Sequence, residues 1–188
     1  MFFVKAKTVI TLGVIMFLGA GFILAVRAKL ANPESGHEFV ARERGGVYLG
    51  TEGVIMQDRS NTCGPAALKM ILDAYGRKTS LHELEVDCNS QNGWSMQALK
   101  EPAEELGLRA EGWRLDVDAL SRSRFPVILF VENNHFVVAD SVDNGGFFFL
   151  RDPAIGRMKI HSRALVKIWK GETLVFGEGE IAKRQFPP

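Results

Sequence analysis

Residues 57–68 read QDRSNTCGPAAL and pass from an irregular polar segment into an apolar, helix-forming run. Asn61 and Thr62 are helix-capping residue types, and Pro65 suits a first helical turn because its missing N–H costs nothing there. Cys63 is therefore predicted to lie at or next to a helix N-terminus. The partial positive charge of a helix N-terminus lowers the pKa of a thiol and favours the thiolate, which is the nucleophile.

Gln57 lies upstream of Cys63 at a distance that can place an amide donor beside the thiol. Such a donor stabilises the oxyanion that forms when a thiolate attacks a carbonyl group. The alternative is a buried structural cysteine, because free cysteine is among the most buried residue types. A lone cysteine at a helix start does not decide between the two, so a base and an orienting group elsewhere must.

The composition indicates a globular protein rather than a disulfide scaffold or a nucleic-acid partner. The 188 residues are 46% hydrophobic and 24% charged, which suits one domain with an appendage. A net charge of +1 gives no reason to expect binding to nucleic acid. Cys63 and Cys88 are too few for a disulfide framework or a four-ligand zinc site. Attack of a thiolate on a carbonyl group, followed by water, needs no metal or organic cofactor, so we expect neither. We predict Cys88 in a polar loop, as a free or partly buried thiol.

Residues 8–26 read TVITLGVIMFLGAGFILAV and contain no charged side chain. At ~1.5 Å per residue, this segment matches the thickness of a bilayer's hydrocarbon core, which predicts one transmembrane anchor after a short tail, residues 1–7. A cleaved signal peptide is the alternative, but Val26-Arg27-Ala28 makes a poor cleavage site. The basic residues on the two sides slightly favour a cytoplasmic N-terminus, with the rest of the chain outside the cytoplasm.

The remaining chain divides into a linker, one domain and a C-terminal tail. Residues 27–50 contain Asn-Pro, Glu-Ser-Gly and mixed charges and are predicted to be a linker, with Gly45-Gly46 as a flexible part of it. Residues 51–178 form the predicted domain, and residues 179–188 form the tail. Within the domain, apolar residues at helical spacing come first, and runs of strand length follow from Pro126. This order predicts an α+β fold with N-terminal helices packed on a C-terminal antiparallel sheet.

A β-hairpin with Asn144-Gly145 as a two-residue turn is predicted near the end of the domain. This register places His135 and Asp152 on one face as diagonal neighbours, and Asp140 on the opposite face. A carboxylate bonded to one ring nitrogen fixes the tautomer, and the other nitrogen can take the proton of a thiol. Taken alone, His135 is equally an edge histidine and Asp152 a turn residue before proline; together with Cys63 they favour a catalytic site.

Four places along the chain carry a family resemblance: Gln57, residues 63–68 (CGPAAL), residues 134–138 (NHFVV) and Asp152-Pro153. The combination is more specific than any one of them. With these residues the chain resembles the bacteriocin-processing (double-glycine leader) cysteine peptidases, the papain-like domains of bacteriocin ABC exporters. The resemblance spans residues 51–176. Members of that family typically cut leader peptides after two glycines.

The resemblance implies a papain-like fold in which Cys63 is the nucleophile, His135 the base, Asp152 its orienting acid and Gln57 the oxyanion donor. Together with the predicted anchor, it implies a single-pass peptidase of the bacterial inner membrane that cleaves peptide or leader sequences. The sequence has no GxxxxGK[ST] phosphate loop, so we expect export of the product to need a separate exporter or secretion partner.

Two other functions use the same residues in different ways. One is a non-catalytic module of the same fold that holds a peptide without cutting it, and such a module has no need of a reactive thiolate. The other is an acyltransferase, in which an amine replaces water as the acceptor. The sequence does not separate acyl transfer from hydrolysis, and it does not identify the substrate.

Overall fold

A seven-stranded antiparallel sheet organises the part of the chain that the structure, a computed structural model, describes: residues 33–87 and 94–178. The helices there are α1 (Pro33–Glu43), α2 (Cys63–Ala74), α3 (Leu81–Asp87), α4 (Met96–Glu105), α5 (Val117–Ser121) and α6 (Ser162–Ile168). The strands are β1 (Gly46–Tyr48), β2 (Arg109–Arg114), β3 (Val127–Val131), β4 (His135–Val142), β5 (Phe147–Asp152), β6 (Gly156–His161) and β7 (Trp169–Gly177). Their order in the sheet is β1-β6-β5-β4-β3-β7-β2. The predicted α+β class with an antiparallel sheet is confirmed.

Apolar side chains fill both faces of the sheet, because β3 (VILFV) and residues 136–139 of β4 (FVVA) are apolar at every position. Ile128 and Val138 belong to a core that joins the sheet to α2, α3 and α4. Leu129 and Val137, one residue along each strand, belong to a second core that includes residues of α1, α5 and α6. Successive side chains of a strand point to opposite faces, so these runs can only be buried between two layers of helices.

The prediction of a linker over residues 27–50 is wrong from residue 33 onward. Residues 33–43 form α1, and Gly46 pairs with Ile160 so that β1 becomes an edge strand of the sheet. Ala41 is fully buried in the second core. The segment reads as a linker because its helix is mostly polar and its strand has only three residues, too few for a recognisable alternation. Contacts with the sheet stabilise it, and a local pattern does not report them.

Gly45-Gly46 is therefore part of a folded turn and not of a flexible linker. Gly45 has a φ of +78°, a left-handed conformation that favours glycine, and Gly46 lies against the side chain of Met158. A Cβ atom at Gly46 would also stand 2.9 Å from the Lys159 carbonyl oxygen, which leaves no room for any other residue. The pair joins the end of α1 to the first strand of the sheet.

We predict that the protein does not cut itself after Gly46. A peptidase needs its substrate extended in its own cleft, whereas Gly46 is held in the sheet by its pairing with Ile160. Intact-mass spectrometry of purified protein after prolonged incubation should show an unchanged chain. The Cys63→Ala variant is the control: a product that begins at Val47 in the wild type, and not in this variant, contradicts the prediction.

The turn between β4 and β5 has three residues, 144–146, so the predicted two-residue turn is wrong. The Asp143 N–H donates to the Phe147 carbonyl at 3.0 Å, so these residues face each other where the strands meet. Gly146 has a φ of +75°, the left-handed conformation that such loops need at their last position. The Asp143 carboxylate also accepts the N–H groups of Gly145 and Phe147, both at 2.9 Å. This side-chain closure favours the longer loop.

A β-bulge in β4 restores the register that the longer turn displaces. The pairing of β4 with β5 shifts by one residue at Asp140. Beyond the bulge, Val138 faces Arg151, which is the predicted register. Two departures from the prediction therefore cancel, and His135 and Asp152 lie on the same face of the sheet.

Several predictions fall outside the described residues: the tail at residues 1–7, the anchor at residues 8–26, Cys88 and the tail at residues 179–188. Within residues 33–87 and 94–178, no helix is long and apolar enough to cross a membrane.

Candidate active site

Cys63 is the first residue of α2, as predicted, and only 4% of it is exposed. Thr62 precedes the helix, but its hydroxyl donates to Asp58 at 2.8 Å and does not cap the helix N–H groups. A Cβ atom on Gly64 would lie 2.8 Å from the ring of Trp94, so glycine is needed for the helix to start this close to the indole. Packing thus fixes the thiol at a helix N-terminus that the Thr62 side chain does not cap, where the partial positive charge favours the thiolate.

His135 begins β4 and Asp152 ends β5, so the hairpin brings both to one end of the sheet. The distance from His135 Nε2 to Asp152 Oδ1 is 2.7 Å. The same imidazole interacts with the Cys63 thiol and lowers its pKa, and Nδ1 is the ring nitrogen that the bond to Asp152 leaves for it. The structure thus brings together the thiol, the imidazole and the carboxylate that were chosen from the sequence, and all three residues are buried.

The pKa values of the thiol and the imidazole move in opposite directions. Burial opposes the Cys63 thiolate, but hydrogen bonds with His135 and with the backbone of Phe136 and Gly64 lower the pKa of Cys63 below its ordinary value. Burial also opposes the His135 imidazolium, yet the hydrogen bonds to Asp152 and Cys63 raise the pKa of His135 to about 9. Both shifts favour a thiolate–imidazolium pair at neutral pH.

The Asp152 carboxylate is fully buried and bonded on both oxygens. Its Oδ1 accepts the His135 ring and the Ala154 N–H, each at 2.7 Å, and its Oδ2 accepts the Arg44 guanidinium at 2.6 Å. Burial raises the pKa of a carboxyl group, but the bond to His135, the charge of Arg44 and the Ala154 N–H outweigh it and keep the pKa of Asp152 below its ordinary value. The group therefore stays ionised and fixes the orientation of the imidazole.

Gln57 is anchored next to the strand that bears the acid. Its backbone N–H donates to the Pro153 carbonyl at 2.9 Å. Its side-chain Oε1 is buried and accepts no hydrogen bond from the described part of the chain. Buried polar atoms are usually paired, so an unpaired Oε1 is unusual for a side chain with a purely structural role. Its function as an oxyanion donor stays a prediction.

Asp140 lies away from the imidazole, on the face predicted from the sequence. Its carboxylate forms three hydrogen bonds with the Arg151 guanidinium at 2.6–3.0 Å. Arg151 neighbours Asp152 in β5 and therefore points to the opposite face. Asp140 is thus occupied by an ion pair outside the thiol–imidazole–carboxylate set.

Arg44 is the residue at this site that the sequence does not predict. It lies in the segment that reads as a linker, where a single arginine among mixed charges carries no recognisable signal. Its proximity to Asp152 depends on the pairing of β1 with β6, which brings residues more than a hundred positions apart into contact.

Comparison with known proteins agrees with this geometry. The profile of the Peptidase C39 family matches residues 51–180. An uncharacterized protein of Methanothermobacter thermautotrophicus is 33% identical over 128 residues, which are 68% of this chain and 89% of that protein. The probable functional amyloid protease FapD of Pseudomonas aeruginosa is 30% identical over 139 residues, which are 67% of this chain and 61% of FapD.

Solved structures share the fold. The crystal structure of a double glycine motif protease from an AMS/PCAT transporter, in complex with the leader peptide, superposes with a TM-score of 0.64. It is 33% identical and covers 67% of this chain and 91% of that one. The peptidase domain of Streptococcus ComA, at 19% identity, has a TM-score of 0.62 and covers 67% of this chain and 98% of that domain. With the profile match covering most of its length, the chain belongs to the peptidase C39 family and is a cysteine peptidase.

Proposed function

We propose that the chain hydrolyses peptide bonds with Cys63 as the nucleophile, His135 as the general base and acid, and Asp152 as the group that orients His135. One observation carries the proposal: the His135 imidazole is bonded to the buried Asp152 carboxylate at 2.7 Å and also lowers the pKa of the Cys63 thiol. A buried structural cysteine needs no such arrangement. A module that only holds peptides has no use for a thiolate paired with an imidazolium.

The proposed chemistry starts from a thiolate–imidazolium pair, which the pKa shifts of Cys63 and His135 favour before substrate binds. The Cys63 thiolate attacks the peptide carbonyl carbon, and the C–S bond forms as negative charge gathers on the carbonyl oxygen. The His135 imidazolium then gives its proton to the leaving nitrogen as the C–N bond breaks, which leaves a thioester and a neutral imidazole. In the second half, His135 takes a proton from water as the water oxygen attacks the thioester. The departing thiolate restores the starting pair.

Replacing Gln57 by alanine is expected to lower kcat by ~10²–10³, the usual cost of losing one oxyanion donor. The Gln57 backbone N–H bonds the Pro153 carbonyl, next to Asp152, and the side-chain oxygen is unpaired among the described residues, so the substitution should leave the fold intact. Gln97→Ala is the matched control, since Gln97 is exposed on α4 and its side-chain amide donates to Glu101. Circular dichroism checks both folds, and undiminished turnover in Gln57→Ala removes Gln57 from the mechanism.

The substrate that we propose is a polypeptide with a leader sequence, delivered to a separate exporter or secretion partner. Two relatives support this class. The similar double glycine motif protease was crystallised in complex with the leader peptide. The probable microcin-H47 secretion/processing protein MchF of Escherichia coli is 32% identical, although this chain matches only 17% of its length.

The experiment that tests this proposal compares polypeptide N-termini in cells with the wild-type chain and cells with Cys63→Ala. The proposal predicts that a small set of proteins keeps its leader only in the Cys63→Ala cells. Synthetic peptides spanning those cleavage sites then serve as substrates for purified protein. Identical N-termini in the two strains contradict the proposal. A product whose new carboxyl end is joined to an amine indicates acyl transfer instead of hydrolysis.

Residues 8–26 are proposed to anchor the chain in the inner membrane as a single span, with the peptidase domain outside the cytoplasm. The support is the uncharged apolar sequence with basic residues on both sides. Extraction of membranes with alkaline carbonate should leave the full-length chain in the pellet, and deletion of residues 8–26 should release it. A mature N-terminus near Lys29 in the soluble fraction contradicts the anchor.

A further inference from the structure

Arg44 bridges two elements of the active site. Its Nη1 atom donates to Asp152 Oδ2 at 2.6 Å. Its Nε and Nη2 atoms donate to the two carboxylate oxygens of Glu132 at 3.0 and 2.6 Å, which makes a bidentate ion pair. Only 12% of the arginine side chain is exposed. One guanidinium therefore uses all three of its nitrogens on two carboxylates from different parts of the sheet.

Glu132 belongs to the turn that leads into His135. Glu132 and Asn133 join β3 to β4 with φ values of +53° and +60°, and the Asn134 N–H closes the turn on Val131. Turns with two left-handed residues favour glycine, asparagine or aspartate at the first position, and glutamate is an uncommon choice. A glutamate there needs a compensating interaction, and its side chain has one in Arg44.

The backbone that carries Arg44 is itself fixed. The Arg44 N–H donates to Val40 in α1, and the Gly45 N–H donates to Arg42. The next residue, Gly46, is already paired in the sheet. Arg44 thus stands at a rigid corner between α1 and β1, ahead of residues 51–180 that match the family profile.

We propose that Arg44 is a positioning residue of the catalytic site: it ties Asp152 to the turn that presents His135, so the segment before the family-matched residues completes the site. This inference rests on the proposed function, because it gives Asp152 and His135 their catalytic roles. Arg44 does not reach the reacting atoms. It acts in two ways. It holds the Asp152 carboxylate against the His135 imidazole, and its positive charge partly neutralises the negative charge of Asp152.

The charges around His135 determine how a substitution at Arg44 or Glu132 changes the pKa of His135. Cys63 from α2 and Asp152 from β5 contact the ring, while Arg44 and Glu132 lie behind Asp152. Without the Arg44 charge, buried Asp152 has His135 as its remaining cationic partner, so the imidazolium becomes harder to deprotonate. Without the Glu132 charge, the positive charge of Arg44 is less neutralised, so the imidazolium becomes easier to deprotonate. Loss of the Arg44 charge and loss of the Glu132 charge are therefore expected to shift the pKa of His135 in opposite directions.

The test measures the titration midpoint of His135 in the full-length protein, by NMR of ¹³C-labelled histidine assigned with a His135→Gln variant. Arg44→Gln should raise the midpoint by about one pH unit, and Glu132→Gln should lower it. Arg44→Lys keeps the charge and should fall between the wild type and Arg44→Gln. Arg42→Gln is the matched control, because Arg42 is exposed on α1 and pairs there with exposed Glu38; it should leave the midpoint unchanged.

Iodoacetamide labelling of Cys63 on the same samples separates the two possible failures. Cys63 that stays unreactive at neutral pH overturns the proposed function. Reactive Cys63 together with a midpoint unmoved in Arg44→Gln and Glu132→Gln overturns the role of Arg44 alone. If Arg44→Gln does not fold, Glu132→Gln decides, since it leaves both hydrogen bonds of Asp152 Oδ1 intact.

Discussion

A Cys63→Ala variant is expected to hydrolyse peptides about 10⁴–10⁶-fold more slowly than the wild type, because without the thiol no thioester can form. The substitution removes one sulfur from a buried position and leaves the small side chain that helix α2 accommodates, so the fold should persist. Rates are measured on the leader peptides identified in cells, with circular dichroism as the check on folding.

Cys88→Ser is the natural control for this substitution. The sequence places Cys88 in a polar loop, away from the predicted helix start, so we expect its replacement to leave turnover unchanged. An active Cys63→Ala variant, or an inactive Cys88→Ser variant with an intact fold, means that the nucleophile has been misassigned.

Asp152→Asn is expected to lower kcat/KM by about 10⁴, the scale seen when the acid of a nucleophile–histidine–acid site becomes an amide. An amide in place of the carboxylate no longer stabilises the His135 imidazolium, and it can hold the ring in the wrong tautomer. The change also leaves the Arg44 guanidinium without one of its two partners. The expected loss therefore combines poorer orientation of the ring with a lower pKa of His135.

Asp140→Asn is the matched comparison, because Asp140 lies on the neighbouring strand β4 and its carboxylate pairs with the partly buried Arg151, not with His135. Its ion pair with Arg151 is partly exposed, and such pairs contribute little to stability. Turnover should change by less than about threefold, within the range of a modest surface effect. A dead Asp140→Asn enzyme beside a nearly normal Asp152→Asn enzyme contradicts the assignment of the acid.

The nucleophile helix could be predicted because local chemistry determines it. A polar segment, a proline in the first turn and an apolar run at helical spacing place Cys63 at the start of α2 without help from distant residues. The strands of residues 127–176 were predictable for the same reason, since their apolar runs have strand length and need burial on both faces.

The hairpin of β4 and β5 is a feature that the local sequence predicts only in part. The Asn-Gly pair predicts a two-residue turn, but the Asp143 side chain bonds the turn backbone and a third residue joins the loop. The bulge at Asp140 then restores the register. The sequence does not show the bulge. The prediction that His135 and Asp152 lie on the same face was therefore correct, but it rested on the wrong turn length.

The first strand and Arg44 were beyond sequence reasoning because only tertiary contacts define them. A three-residue strand has no periodicity to read, and its place at the sheet edge depends on β6, which lies more than a hundred residues later. The contacts of Arg44 with Asp152 and Glu132 depend on that placement and on the uncommon left-handed turn at Glu132. Neither property is encoded in the residues next to Arg44.

The central claim is that Cys63 is held as a thiolate by His135. Alkylation by iodoacetamide, followed at each pH by peptide mapping, tests it without any substrate. Because the pKa of Cys63 is lowered and that of His135 is raised to about 9, the ion pair exists between these two values and loses the imidazolium proton as pH rises through about 9.

We predict that Cys63 of the wild type is alkylated at a pH well below that at which an ordinary cysteine reacts, and before Cys88. In His135→Ala the same reaction should move to higher pH, because burial then acts on the thiol without the imidazolium. The result that contradicts the account is a Cys63 that reacts only at the pH of an ordinary thiol and is indifferent to His135→Ala.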